Sequence, residues 1–266
     1  MKILIVGGGN MGRTYAESFI ANHTVARQDL YILEKAEEKI SYFRALGFSS
    51  VFTLAGPYIG DMDLVILAVK PQDSAVVLEN LRAFMQPHQT VLSIMAGVRL
   101  ASLRQSLPTS KIVRAMPNLP AQVGMGMTGF TADSTVGRSE LFAVQNLLNT
   151  TGKSLYFEDE NLLDAVTAIS GSGPAFVYYF MQAMIDSARQ MGFSETEAET
   201  LVGQTFLGAI HLLQNNTLSC REWIEKVSSR GGTTEAALHS FSSVNLNQKI
   251  GEGLLAARSR SEQLGQ

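Results

Sequence analysis

The chain carries a single cysteine, Cys220, among its 266 residues. One thiol excludes an internal disulfide framework and any cysteine-rich zinc site, and a small core or helix-start residue is a simpler role for it than a nucleophile. The four histidines, His23, His88, His211 and His239, show no metal-ligand spacing, so no metal is expected. No block of lysine or arginine stands out. With 21 basic against 24 acidic side chains and a net charge of −3, nucleic acid has no electrostatic footprint to bind. No apolar stretch approaches the roughly 20 residues of a membrane span. The first apolar run is too short for a signal peptide and ends in glycines, so no membrane partner is expected and a cytoplasmic location is the default. No internal repeat or low-complexity tract interrupts the chain. What remains is a sequence that is 45% hydrophobic and 17% charged, enough for a sizeable core in two ordinary domains or one large one, and unlike a disordered chain.

The most informative stretch is Lys2 to Gly12, KILIVGGGNMG. Ile3 to Val6 is an unbroken, largely β-branched run, the pattern of a strand buried on both faces of a parallel sheet. It stops at Gly7-x-Gly9-x-x-Gly12, and a helical pattern follows through Tyr15, Ala16, Phe19 and Ile20. Glycines between a strand and a helix fit the dinucleotide fingerprint, the alternative being an ordinary strand–helix turn. Gly7 permits the tight turn, Gly9 lets backbone approach a pyrophosphate, and Gly12 lets helix pack on strand. The free N–H groups and positive dipole of the helix start would hold the phosphates.

Further strands are expected at Asp29–Leu33, Asp63–Val69, Thr90–Met95, Lys111–Met116 and Gly126–Thr131, with helices at Glu37–Leu46 and Ser134–Leu148. This alternation argues for a doubly wound sheet. Glu34 follows the second strand, where an acidic side chain usually accepts hydrogen bonds from the adenosine ribose hydroxyls. Neighbouring Lys35 could instead pair with a phosphate, and a solvated helix start would account for both. The pattern changes near residues 152–160, and no convincing strand follows Tyr156. Helices are expected at Glu160–Ile169, Pro174–Met191, Ser194–Gln214, Thr234–Phe241 and Leu246–Leu264. Ser194 with Glu197, and Ser219 with Glu222, have capping-box spacing. Several of these helices are apolar on more than one face, which points to burial against a partner subunit, the alternative being an interface with the first domain of the same chain.

Two polar, glycine-rich loops interrupt these helices: ISGSGPAF at Ile169–Phe176 and VSSRGGTT at Val227–Thr234. Each leads into a helix and can offer N–H groups to an anion, and Ser172, Ser229, Thr233 and Thr234 add hydroxyls suited to a small carboxylate. Capping and tight helix packing would explain either loop alone.

With these loops the sequence resembles the pyrroline-5-carboxylate reductase family. The shared features run in order along nearly the whole chain: GGGNMG after the first strand, AVKPQ at Ala68–Gln72, SIMAGV at Ser93–Val98, RAMPNLP at Arg114–Pro120, ISGSGPAF, and SSRGGTTEAAL. The resemblance implies an α/β fold. A Rossmann-type, doubly wound parallel sheet over residues 1–152 would be followed by an all-helical substrate-binding and dimerisation domain over residues 153–266. It implies a homodimer through the helical domain, in this family often gathered into rings of dimers. It also implies NAD(P)H-dependent reduction of the ring C=N of 1-pyrroline-5-carboxylate to proline. Carried over by position, Val6, Gly7, Gly8, Gly9, Asn10, Met11 and Gly12, with Glu34, Ala68, Val69, Lys70 and Pro71, would hold the cofactor. Ala96 and Gly97 would lie near the nicotinamide. Ser172, Gly173, Pro174, Ser229, Gly231, Gly232, Thr233 and Thr234 would line the substrate site.

Two positions depart from the family. Arg230 stands where a proline is usual, and could supply a charge to the substrate carboxylate. Glu34 stands where NADPH-preferring members usually carry small polar and basic residues, which favours NADH. Thr234 is the candidate catalytic residue, hydrogen bonding the ring nitrogen. Its hydroxyl is a poor acid at neutral pH, so an already protonated imine, or water, would provide the proton. No His, Asp or Glu in the two loops is placed for general acid work, which suits imine reduction better than alcohol oxidation. The competing readings are a related imine or β-hydroxyacid dehydrogenase, for which the Ser172 region lacks the lysine or similar base, and a nucleotide-sensing homologue without activity, favoured only by Arg230.

Overall fold

A computed structural model describes residues 1–264. Among these residues the chain forms eight strands and eleven α-helices. The described residues divide into two compact units, residues 1–172 with 257–264, and residues 173–256.

The first unit is a sheet with helices on both faces. Its strands are β1 (Ile3–Val6), β2 (Leu30–Leu33), β3 (Val51–Phe52), β4 (Leu64–Leu67), β5 (Thr90–Ser93), β6 (Ile112–Met116), β7 (Gly126–Ala132) and β8 (Gly152–Tyr156), in the order β3-β2-β1-β4-β5-β6-β7-β8. The chain leaves β1 in one direction for β2 and β3, then returns to β1's other side for β4. The carboxyl ends of β1 and β4 therefore flank the switch point where open α/β sheets bind ligands. The side chains of β1 alternate between two cores. Ile3 and Ile5 pack with Tyr15, Ala16 and Phe19 of α1 (Asn10–Ala21), Phe43 of α2 (Glu37–Ala45) and Val144, Leu147 and Leu148 of α5 (Arg138–Asn149). Leu4 and Val6 face Leu78 and Leu81 of α3 (Ser74–Arg82) and Leu100 and Leu103 of α4 (Leu100–Ser106). All four β1 side chains are buried. At about 1.5–3 kcal/mol for each large apolar side chain, this packing dominates the unit's stability.

The sheet corrects the sequence expectation in two respects. It is mixed rather than wholly parallel, because β7 runs antiparallel to β6. It also extends past residue 152: β8 pairs with β7 in parallel register, and α6 (Leu162–Val166) packs on β6 and β7. A boundary at 152/153 thus cuts the last strand after its first residue, whereas the compact units part after Ser172.

The second unit contains α7 (Gly173–Gln190), α8 (Glu195–Gln214), α9 (Cys220–Val227), α10 (Thr233–Ser243) and the first part of α11 (Leu246–Leu264). Both capping boxes form: Ser194 Oγ accepts from Glu197 N–H while Glu197 returns to the Ser194 N–H, and Ser219 and Glu222 repeat the exchange. Among the described residues of this unit, α7, α9 and α10 contribute no buried side chain, and α8 contributes Ala198 and Val202. Tyr179, Met191, Leu201, Leu212 and Phe241 are each at least half exposed. No helix is long and apolar enough to cross a membrane among the described residues.

Candidate active site

The glycine turn closes the carboxyl end of β1. Gly7 has φ +101°, where only glycine is unstrained, and its N–H donates to the Leu33 carbonyl at 2.9 Å. A Cβ on Gly7 would stand 2.8 Å from the Ala68 carbonyl oxygen and 2.9 Å from Val69 Cγ1, so the ends of β1 and β4 meet here. A Cβ on Gly12 would fall 1.9 Å from the Gly7 carbonyl oxygen, which is the helix-on-strand approach expected of the third glycine. Gly9 differs. It caps α1 in ordinary extended geometry, φ −70° and ψ −173°, and a Cβ there would meet nothing within 4 Å among the described residues. The fold itself does not require glycine at this position. Nor, among the described residues, does any side chain cap the helix start. The protein thus leaves open space beside unclaimed N–H groups, a cradle that suits a pyrophosphate.

Glu34 lies at the end of β2, with its carboxylate buried. Its Oε2 accepts the Gly8 N–H at 2.7 Å, and its Oε1 accepts the N–H groups of Lys35 and Ala36 at 2.8 and 2.9 Å. Lys39 Nζ approaches Oε2 at 3.4 Å. Burial pushes the Glu34 pKa up, but the backbone donors and the Lys39 charge outweigh it, leaving the carboxyl below its ordinary value. Glu34 is therefore charged at neutral pH and ties the glycine turn to β2.

A cavity of about 610 Å³ opens over this end of the sheet. Val6, Gly7, Gly9, Glu34, Lys35, Ala68, Val69 and Lys70 line it. Gly8, Asn10, Met11, Gly12 and Pro71 do not. Asn10, Met11 and Gly12 belong to the first turn of α1, where Met11 packs against the core. Pro71 opens the 3-10 turn that follows β4. Ala96 and Gly97 follow β5 outside this cavity's lining, with Gly97 at φ +78°. Lys39, Thr53, Val76 and Asn80, which belong to none of the sequence motifs above, also line the cavity. Lys39 had one usable signal, its place in the first turn of the helix beginning just after Glu34.

Of the two loops of the second half, the first is divided between the units and the other lies wholly in the second. Ser172 closes the first unit, whereas Gly173, Pro174 and residues 229–234 belong to the second. Residues Thr167–Gly171 form a π turn that continues α6, and the Ser172 N–H donates to the Thr167 carbonyl at 2.8 Å. Such turns recur at functional sites. Pro174 lies in the first turn of α7, where its missing N–H leaves no bond unmade within the helix. In the other loop the Gly232 N–H donates to the Ser229 carbonyl at 2.9 Å, and Gly231 adopts φ +73°. Thr233 and Thr234 are the first two residues of α10, whose cap Gly232 offers no side chain. Thr234 is half-buried and Arg230 exposed. Glu235, one residue past the loop, accepts the Gly231 N–H at 2.7 Å.

The glycine cradle, the acid at the end of β2 and the cavity at the switch point mark a dinucleotide-dependent oxidoreductase with a Rossmann-type unit. Residues 160–264 match the family model for pyrroline-5-carboxylate reductase dimerisation, and residues 2–97 match one described as NADP oxidoreductase, coenzyme F420-dependent. A pyrroline-5-carboxylate reductase of Pseudomonas aeruginosa is 35% identical over 270 residues, covering 100% of this chain and 98% of its own. The solved structure of a pyrroline-5-carboxylate reductase from Coxiella burnetii superposes with a TM-score of 0.92 at 30% identity, covering 100% of this chain and 98% of its own. The Plasmodium falciparum pyrroline carboxylate reductase with NADP bound gives 0.88 at 24% identity over 100% of this chain and 98% of its own, a likeness of fold. The chain belongs to the pyrroline-5-carboxylate reductase family, and is an NAD(P)H-dependent oxidoreductase acting on an imine.

Proposed function

We propose that the protein reduces 1-pyrroline-5-carboxylate to L-proline at the carboxyl edge of the sheet. The observation that carries this reading is the cradle at Gly9, open where the fold needs no opening, in a chain that matches its relatives from end to end. A bound nicotinamide dinucleotide would supply the hydride. The residues of this chain would bind and orient. Val6 to Gly12 and Ala68 to Pro71 would hold the dinucleotide, with Ala96 and Gly97 toward its nicotinamide. Ser172 to Pro174, Ser229 and Gly231 to Thr234 would hold the carboxylate and ring, with the Thr234 hydroxyl on the ring nitrogen. Turnover of NADH and NADPH with 1-pyrroline-5-carboxylate tests the reading. Proline should form, and a protein that binds NAD(P)H but makes no proline would overturn it.

The proposal extends to cofactor choice. A carboxylate offers about four lone-pair sites, and three are taken by backbone N–H groups. The fourth faces Lys39 at 3.4 Å, a long contact that a ribose hydroxyl could replace. A 2′-phosphate would instead bring negative charge against a carboxylate held ionised. Glu34 therefore favours NADH, although Lys35 and Lys39 on the same wall offer a phosphate some compensation.

The same reading includes a homodimer through the helical domain, with dimers able to gather into rings. The exposed apolar side chains of α7, α8 and α10 support it, because a single chain leaves them in water.

A further inference from the structure

Asn118 sits where an asparagine would normally cap the turn that follows it, the 3-10 turn Leu119–Val123. It makes no such bond among the described residues. Its side chain reaches across the fold instead. Oδ1 accepts the Met127 N–H at 2.8 Å, and Nδ2 donates to the Ser170 carbonyl at 3.0 Å. One partner is a donor and the other an acceptor, so the amide can point only one way.

The Ser170 carbonyl has a particular need. In a continuing α-helix it would accept from the N–H of residue 174. Residue 174 is proline and has no N–H. The π turn at Thr167–Gly171 together with Pro174 thus leaves a carbonyl without its helical donor at the entrance to the ISGSGP loop. Met116, two residues before Asn118, supports the same turn, since a Cβ on Gly171 would stand 2.9 Å from its Cε.

We propose that Asn118 is a positioning residue for the substrate loop: its amide gives the Ser170 carbonyl the hydrogen bond that Pro174 cannot, and so fixes the π turn that presents Ser172. The proposal rests on the substrate reading of that loop given above. Asn118→Asp tests it, because aspartate keeps the acceptor for Met127 and loses the donor to Ser170. The KM for 1-pyrroline-5-carboxylate should rise about tenfold, while the Kd for NADH stays within about twofold and kcat changes less than KM. Amide exchange at Ser172 should quicken. Pro174→Ala restores a backbone N–H at 174, so on that background Asn118→Asp should alter Ser172 exchange less than it does in the wild type. Unchanged KM and exchange, equal effects on both backgrounds, or a matching loss of NADH affinity would each overturn the proposal. If Asn118→Asp does not fold, Asn118→Ser, whose hydroxyl is too short to reach Ser170, is read by the same criteria. Exchange is measured without turnover, so a wild type that makes no proline would defeat the substrate reading without deciding the role of Asn118 in the turn.

Discussion

Replacing Gly9 by alanine separates what the fold needs from what the ligand needs. The backbone there is extended, with φ −70°, which alanine adopts freely. The added methyl meets no protein atom within 4 Å among the described residues. Two small effects oppose each other: alanine is a poorer N-cap than glycine, but it restricts the unfolded chain and returns about 0.4–1 kcal/mol. The net change in stability should lie within about 1 kcal/mol, which for a unit of this size shifts Tm by no more than about 4 °C. The methyl would, however, project into the space offered to a pyrophosphate. Forcing a methyl into a filled contact costs about 1–3 kcal/mol, or about 5- to 150-fold in Kd. Thermal melting and a fluorescence titration with NADH measure both quantities on one preparation. Gly12→Ala is the control: its methyl would fall 1.9 Å from the Gly7 carbonyl oxygen, so that variant should fail to fold. A Gly9→Ala protein that binds NADH as the wild type does would show that the dinucleotide does not lie over Gly9. One that melts more than 10 °C early, far beyond the bound of about 4 °C, would show that the fold needs this glycine after all.

Glu34→Ser should shift kcat/KM toward NADPH, and a wild type already preferring NADPH about tenfold, or about 1.4 kcal/mol, would mean that Lys35 and Lys39 decide the choice. Because the Glu34 pKa is lowered on folding, its contribution to stability is complete above the ordinary value of 4.5 and is lost as pH falls through the lower folded value. Denaturant titrations of wild type and Glu34→Gln should therefore converge in acid, and a gap that persists there would refute the assignment. Thr234→Ala should lower kcat/KM for 1-pyrroline-5-carboxylate about tenfold to a hundredfold without reshaping the pH profile, as loss of a hydrogen bond and not of a general acid. Thr234→Ser should keep most activity, and equal losses in both variants would point to the methyl group. Light scattering should give a dimer or a multiple of dimers at micromolar concentration, and a stable monomer would contradict the proposed burial of the helical faces.

The elements legible in the sequence were those with strong local punctuation. β1 ends at glycines, and the Leu246–Leu264 helix matches its expected span. Both capping boxes could be read from residue types three apart. β3 has only two residues, too few to show a period. α3 and α4 carry no such punctuation: α3 directly continues the Pro71–Asp73 turn, and neither has a side chain capping its start among the described residues. The reversed direction of β7 depends on its partner, which no local pattern encodes. The same holds for burial of charge. Arg114 of β6 is buried against Glu160 and Asp164, which are distant in sequence and carry no shared local signal. At the candidate site the glycines and Glu34 were legible from spacing. The bond from Asn118 to Ser170 was not, because it joins residues whose only shared signal is a proline four positions further on.

The return of α11 to the first unit has a consequence for how the chain is made. Ser261 Oγ donates to Asp164 Oδ1 at 2.8 Å, both residues being buried. Asp164 is also contacted by Arg99 and Arg114. During synthesis the sheet, α6 and the π turn emerge first, but the residues that complete their packing emerge only after the whole helical unit has been translated. Until then Asp164 must be satisfied by the two arginines and water alone. The nucleotide-binding half therefore becomes complete last, although nearly all of it is made first.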